Sequence, residues 1–137
     1  MVEGPEMKEA LVILALAASP AAAQTITGND VLSACEANDA GVQERFCIGY
    51  IVGLWEGIHW GTFVAFRSVG GFEEGGAAEA SDFASMLLGS CVPPHVENSQ
   101  IRDVVIRYIR DNPTTRHESA RGLMERAMAE AFPCPPE

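Results

Sequence analysis

The stretch Ile101-Arg102-Asp103-Val104-Val105-Ile106-Arg107-Tyr108-Ile109-Arg110 decides the fold class. Ile101, Val104, Val105, Tyr108 and Ile109 recur at the three- and four-residue spacing of one helical face, while Arg102, Asp103, Arg107 and Arg110 fall largely opposite. Asp103 and Arg107 stand at the spacing that lets opposite charges support a helix, and Asn112-Pro113 ends it. The next segment repeats the pattern. Over residues 116–131, Ala120, Leu123, Met124, Ala127 and Met128 line one face, Arg121 is set against Glu125 and Arg126 against Glu130, and Pro133 closes the helix beside Cys134.

Upstream the same period continues. A short helix is expected over residues 31–36, capped by Asn29 or Asp30, with turn residues at 38–41. A long helix is expected over residues 42–66. Residues 68–76 hold Gly70, Gly71, Gly75 and Gly76 around Phe72, Glu73 and Glu74, the composition of an exposed loop. Residues 82–88 suit one further turn or short helix, stopped by Cys91, Pro93 and Pro94. With no alternating run to argue for a sheet, the expected fold is all-α, a compact domain of four to five helices.

Four glycines, Gly49, Gly53, Gly57 and Gly61, recur every four residues inside the long helix. Each costs up to about 1 kcal/mol relative to Ala there. A smooth groove offsets that cost when another helix packs along it, either from the same chain or across a two-fold dimer. A membrane span over residues 47–64 is disfavoured, because it puts Glu56 and His59 near mid-bilayer at a cost of about 3 kcal/mol for the carboxylate alone.

At the front of the chain, Met7 and Lys8 precede an apolar run over residues 10–18, and Ala21 and Ala23 form a small-x-small cleavage site before Gln24. Residues 1–23 therefore read as an export signal with its true start at Met7, since Glu3 and Glu6 are unlike the basic start of such a signal. Residues 24–137 form one mature domain, expected in the periplasm. In an oxidising compartment the even set Cys35, Cys47, Cys91 and Cys134 favours two disulfides. Three pairings are possible; Cys35 with Cys47 and Cys91 with Cys134 is preferred because each ties together the ends of one half of the domain. No Cys-x-x-Cys or His-x-x-x-His spacing exists to build a zinc site.

The 137-residue chain has a formal net charge of −10, and every basic residue after Lys8 is Arg. Such a surface repels nucleic acid and anionic lipid and suits a soluble protein that meets a basic partner. Catalysis finds no support. His117 and Ser119 are too close in sequence to imply a triad, there is no Gly-x-Ser-x-Gly elbow, Glu73-Glu74 and Glu97 with Asp103 lack a catalytic context, and no cofactor motif appears. The candidate partner-binding residues are Trp55, Glu56 and Trp60 on the long helix with Phe72, Glu73 and Glu74 in the glycine-rich loop, where aromatic anchors stand beside an acidic rim.

Several of these residues also carry a resemblance. Cys47-Ile48-Gly49-Tyr50-Ile51 with the upstream Cys35, then Cys91-Val92-Pro93, Val96 with Gln100, Val104-Val105 with Tyr108, Asn112-Pro113, Arg116-His117 with Ala120, Leu123 and Ala127, and finally Phe132-Pro133-Cys134, resemble the Rap/Tai immunity proteins of type VI secretion systems. The resemblance covers nearly all of the mature chain. It implies an exported, helical, disulfide-stabilised and often dimeric protein, here expected as a homodimer, that binds a peptidoglycan amidase toxin and blocks its active-site cleft.

Overall fold

In a computed structural model, the structure of the protein is described for residues 25–37, 41–69 and 77–136. Five helices run through them: α1 Gly28–Cys35, α2 Val42–Ser68, α3 Ala77–Leu88, α4 Asn98–Asp111 and α5 Ala120–Ala131. Among the described residues there is no strand, only two isolated antiparallel bridges, Thr27 with Ser119 and Ser90 with Pro133. The all-α expectation holds. The expected leader and the loop residues Phe72, Glu73 and Glu74 lie outside the described residues.

The faces read from the sequence form the core. Ile101, Val105 and Ile109 of α4 and Ala120, Leu123, Met124, Ala127 and Met128 of α5 are buried with Val31 and Leu32 of α1 and Cys47 and Ile51 of α2. Val104 and Tyr108 flank that core, half-buried.

α1 begins three residues earlier than expected, and its cap is Thr27 rather than Asn29 or Asp30. The Asp30 N–H donates to the Thr27 hydroxyl at 3.3 Å, and the Asp30 carboxylate accepts from the Thr27 N–H at 2.8 Å and from its hydroxyl at 2.7 Å. Asp30 therefore occupies the third helical position of a reciprocal capping box, where its carboxylate satisfies a donor that the helix leaves unpaired. The bonds from the Thr27 hydroxyl, and then from its N–H, hold the Asp30 carboxyl below the usual carboxylate range.

The start of α1 is laced to the connection between α4 and α5. The Gly28 N–H donates to the Glu118 carbonyl at 3.1 Å, the Asn29 N–H to the Arg116 carbonyl at 2.9 Å, and the Ala120 N–H to the Ile26 carbonyl at 2.9 Å. Residues 116–118 are thus turn and bend, and Ser119 caps α5, in place of its expected first turn. Arg116 is committed elsewhere: its Nε donates to the Ile109 carbonyl at 2.9 Å and its Nη2 to the Arg110 carbonyl at 2.5 Å, satisfying carbonyls at the end of α4. Gly28 is buried here, and a Cβ at this position runs into Leu123 Cδ1 and lies 3.0 Å from the Arg116 carbonyl oxygen.

α3 is longer than the short turn expected at 82–88. The Phe83 ring stacks on Phe66 of α2 with centroids 4.5 Å apart, and Ala84 is buried. It ends at Gly89, whose φ of 63° is the left-handed conformation of a helix terminator, with the Ser90 N–H returning to the Ser85 carbonyl at 3.0 Å.

The preferred cysteine pairing is the one present. Cys35–Cys47 joins the end of α1 to α2 across 12 residues, and Cys91–Cys134 joins the segments after α3 and α5 across 43. In the loop-entropy picture these closures contribute about 3 and about 4 kcal/mol. The Cys91 N–H also donates to the Phe132 carbonyl at 2.8 Å, so the second disulfide clamps α4 and α5 as a hairpin. Surface ion pairs differ from the expected ones: Arg126 reaches Glu118 at 2.5 Å, Arg107 reaches Asp111 at 3.6 Å, and Asp103 bridges Arg102 at 2.7 Å. Exposed pairs of this kind contribute about 1 kcal/mol or less, which explains why helical spacing alone does not choose among them.

Gly28→Ala is expected to lower the stability of the oxidised protein by about 1–3 kcal/mol in urea unfolding, because the methyl group meets a backbone carbonyl as well as Leu123. Acid titration of the cap has a definite sign. The Asp30 carboxyl is depressed in the folded state, so its contribution is complete above the unfolded value of about 4 and is lost as pH falls through the lower folded value. Asp30→Asn is expected to flatten the fall in thermal midpoint below about pH 4 while leaving the pH 5–7 profile unchanged in slope.

Candidate partner-binding surface

Two series at four-residue spacing interleave on α2 and point in different directions. Cys47 and Ile51 are its buried residues, and Trp55 continues that line, half-buried against the core with Tyr50 and Leu54. The His59 ring packs edge-on against Trp55 with centroids 4.0 Å apart, and its Nδ1–H donates to the Trp55 carbonyl at 3.1 Å. Trp55 is thus a core-side residue and not the exposed anchor that its composition alone suggests. His59 is spent on the helix itself.

The other series faces outward. Gly49, Gly53, Gly57 and Gly61 are all exposed, and among the described residues a Cβ added at any of them meets nothing within 4 Å. Among the described residues no helix of the same chain packs along this stripe, so of the two occupants considered for the groove the intramolecular one is not present. Beside the glycines stand large apolar residues: Trp60 is 66% exposed, Val64 44% and Phe46 39%. Phe46 stacks on Tyr50 with centroids 5.6 Å apart, and Trp60 stacks on Phe63 at 5.1 Å. Burial pushes the Tyr50 phenol up, against a smaller opposing effect of Arg121.

Trp60, Phe63, Val64, Arg67 and Ser68 line an open depression of about 320 Å³ near the end of α2. Glu56, also exposed, stands one helical turn before Trp60, so these two are the parts of the expected aromatic-and-acidic site that the described residues bring together. Val42, Phe46 and Val64 were not among the sequence candidates. Their signal was present, because they fall on the glycine side of the helix once Cys47 and Ile51 fix the core side.

Elsewhere the surface offers less. A polar cleft of about 340 Å³ lies against the Cys35–Cys47 disulfide, but its arginines are paired, Arg110 with Glu36 at 2.9 Å and Arg102 with Asp103. A groove of about 300 Å³ between α4 and α5 is lined by Val104, Tyr108, Ala127 and Ala131 together with Arg107, Asp111, Asn112 and Glu130. The Arg126 guanidinium is held above its usual range by the hydrogen bond to Glu118. Among the described residues no group of His, Cys, Asp and Glu is placed to hold a metal ion, and no helix is long and apolar enough to cross a membrane.

A family model described as Rap1a immunity proteins matches residues 27–134. The matched span runs from the cap of α1 to the last cysteine and takes in both disulfides. No curated protein and no solved structure matches the chain.

The two tryptophans of α2 are expected to respond differently to truncation. Trp55→Ala removes a side chain packed on the core and should cost about 2–3 kcal/mol in urea unfolding. Trp60→Ala, measured on dilute protein at submicromolar concentration, should stay within about 0.5 kcal/mol of the parent.

Proposed function

The chain belongs to the Rap1a immunity protein family, and we propose that it neutralises a peptidoglycan amidase toxin by binding it and covering its active-site cleft, with no chemistry of its own. The observation that carries this reading is the family match across the whole disulfide-bonded domain. An inhibitor of this kind needs a rigid scaffold and an exposed surface of anchors, not a catalytic constellation. The two disulfides supply the rigidity.

The proposed setting is the periplasm, after export and removal of residues 1–23. Disulfides persist in that compartment, and an immunity protein must meet there a cell-wall hydrolase delivered by type VI secretion. The net charge of −10 favours fast encounter with a toxin whose cleft carries basic residues. The proposed contacts are Glu56 on α2 together with Phe72, Glu73 and Glu74. The protein is proposed to act as a homodimer. Trp60 belongs to that self-contact rather than to the toxin.

The test is a pull-down from envelope extract with the purified mature protein, followed by an amidase assay with and without it. Recovery of a hydrolase whose activity falls to background at saturating protein is the expected result. The triple change Phe72→Ala, Glu73→Lys and Glu74→Lys should raise the dissociation constant at least tenfold, about 1.4 kcal/mol, with an unchanged circular dichroism spectrum. If no hydrolase is recovered, or its activity persists at saturation, the immunity reading gives way to a non-catalytic envelope protein of the same fold without a toxin partner.

A further inference from the structure

The outward face of α2 carries Val42, Phe46, Gly49, Gly53, Gly57, Trp60 and Val64, all exposed. At about 100° per residue these positions lie within about 40° of one line along the helix, a strip about 33 Å long. None of them is charged. An apolar strip of this length on a chain with a net charge of −10 is a surface that water covers poorly.

The strip reads the same from both ends. Counted from Gly53, glycines stand four residues away on either side (Gly49 and Gly57), aromatics seven away (Phe46 and Trp60) and valines eleven away (Val42 and Val64). A helix that meets a copy of itself antiparallel across a two-fold axis places each residue against the one equally far on the other side of the axis. Its surface must therefore be complementary to its own reversal. An unrelated partner imposes no such symmetry.

The distribution of bulk fits a crossing. Two helices that cross approach most closely at one point and diverge toward both ends. Glycines at the centre let the backbones come close, and among the described residues a Cβ there meets nothing within 4 Å, which leaves room for an occupant. The aromatics and then the valines fill the widening gap on each side.

We propose that a second copy of this chain packs on this face, antiparallel, with the two-fold axis beside Gly53 and with Phe46 of each chain against the partner's Trp60. This deepens the homodimer reading and is independent of the toxin. The mature oxidised protein should scatter light as a dimer at about 50 µM. Gly53→Leu should convert it to a monomer of unchanged helicity, since a Cβ at Gly53 meets nothing within 4 Å among the described residues. Gly53→Cys should form an intermolecular disulfide under mild oxidation, whereas Gly61→Cys, off the strip and eight residues from the axis, should not.

Each result decides a different point. A monomeric parent at 50 µM overturns both the homodimer reading and this face. A dimer that Gly53→Leu leaves intact overturns the face while leaving dimerisation standing. A dimer abolished by Gly53→Leu but not cross-linked by Gly53→Cys overturns the antiparallel register. Amidase inhibition is measured separately, so a failure of the immunity reading is distinguishable from all three.

Discussion

Arg116 holds two helix ends in one place, joining the end of α4 to the start of α1. Its guanidinium donates to the Ile109 and Arg110 carbonyls at the end of α4, while its own carbonyl accepts the Asn29 N–H at the start of α1. Bonds from an ionised donor are stronger than neutral ones, and the carbonyls at a helix C-terminus are the negative end of its dipole. With the turn fixed there, the Ala120 N–H reaches Ile26 and Leu123 comes down over Gly28. That close approach places Val31 and Leu32 against Leu123 and Met124, and the core closes between α1, α4 and α5. α2 contributes Cys47 and Ile51 to the same core.

A core of this size leaves little margin, because a small domain buries a modest share of the surface that its unfolded chain exposes. The disulfides tie in the parts of the chain that contribute few buried residues of their own. Cys35–Cys47 anchors the first third of a 27-residue helix whose fully buried residues are just Cys47 and Ile51. Cys91–Cys134 fastens the segment after α3 to the tail of α5, where the chain is extended and no helix face holds it. Contributions of about 3 and about 4 kcal/mol are comparable with the whole stability of an ordinary domain. The fold is therefore tied to an oxidising environment by energetics as well as by cysteine count.

What was legible in the sequence follows from what each residue answers to. The inward faces of α4 and α5 were readable residue by residue, because a helix packed along one side on a core must show that side every three or four positions. The cap of α1 lies two or three residues before the expected one: Asn29 and Asp30 are both good cap residues, and the lacing to 116–120 accompanies a helix start at Thr27. α3 starts at Ala77, five residues before the expected turn, and its Phe83 stacks on Phe66, a tertiary contact with no local signature. Arg126 turns to Glu118 for a similar reason, since Glu118 lies in the turn that the α1 contacts fix. At the candidate site, Trp55 and Trp60 look alike in composition and differ by which side of α2 the core occupies. Cys47 and Ile51 held that information, but it is read only once the cysteine pairing and the buried face are considered together.

α2 is the place where local rules and the monomer disagree. Four glycines in a helix interior cost up to about 1 kcal/mol each relative to Ala, and alanine would fit at every one of them without touching anything in the described chain. The described monomer thus gains nothing from their small size. Gly28 is the contrast: there the missing Cβ is demanded by Leu123 and by the Arg116 carbonyl. A local rule broken without compensation inside the fold points to a requirement outside it, which is where sequence reasoning about a monomer is expected to fail. The two interleaved series on one helix separate the tasks. The line through Cys47, Ile51 and Trp55 holds the domain together, and the line through Gly49, Gly53 and Gly57 is free to answer to a neighbour, so a change on the second can alter association without reaching the core.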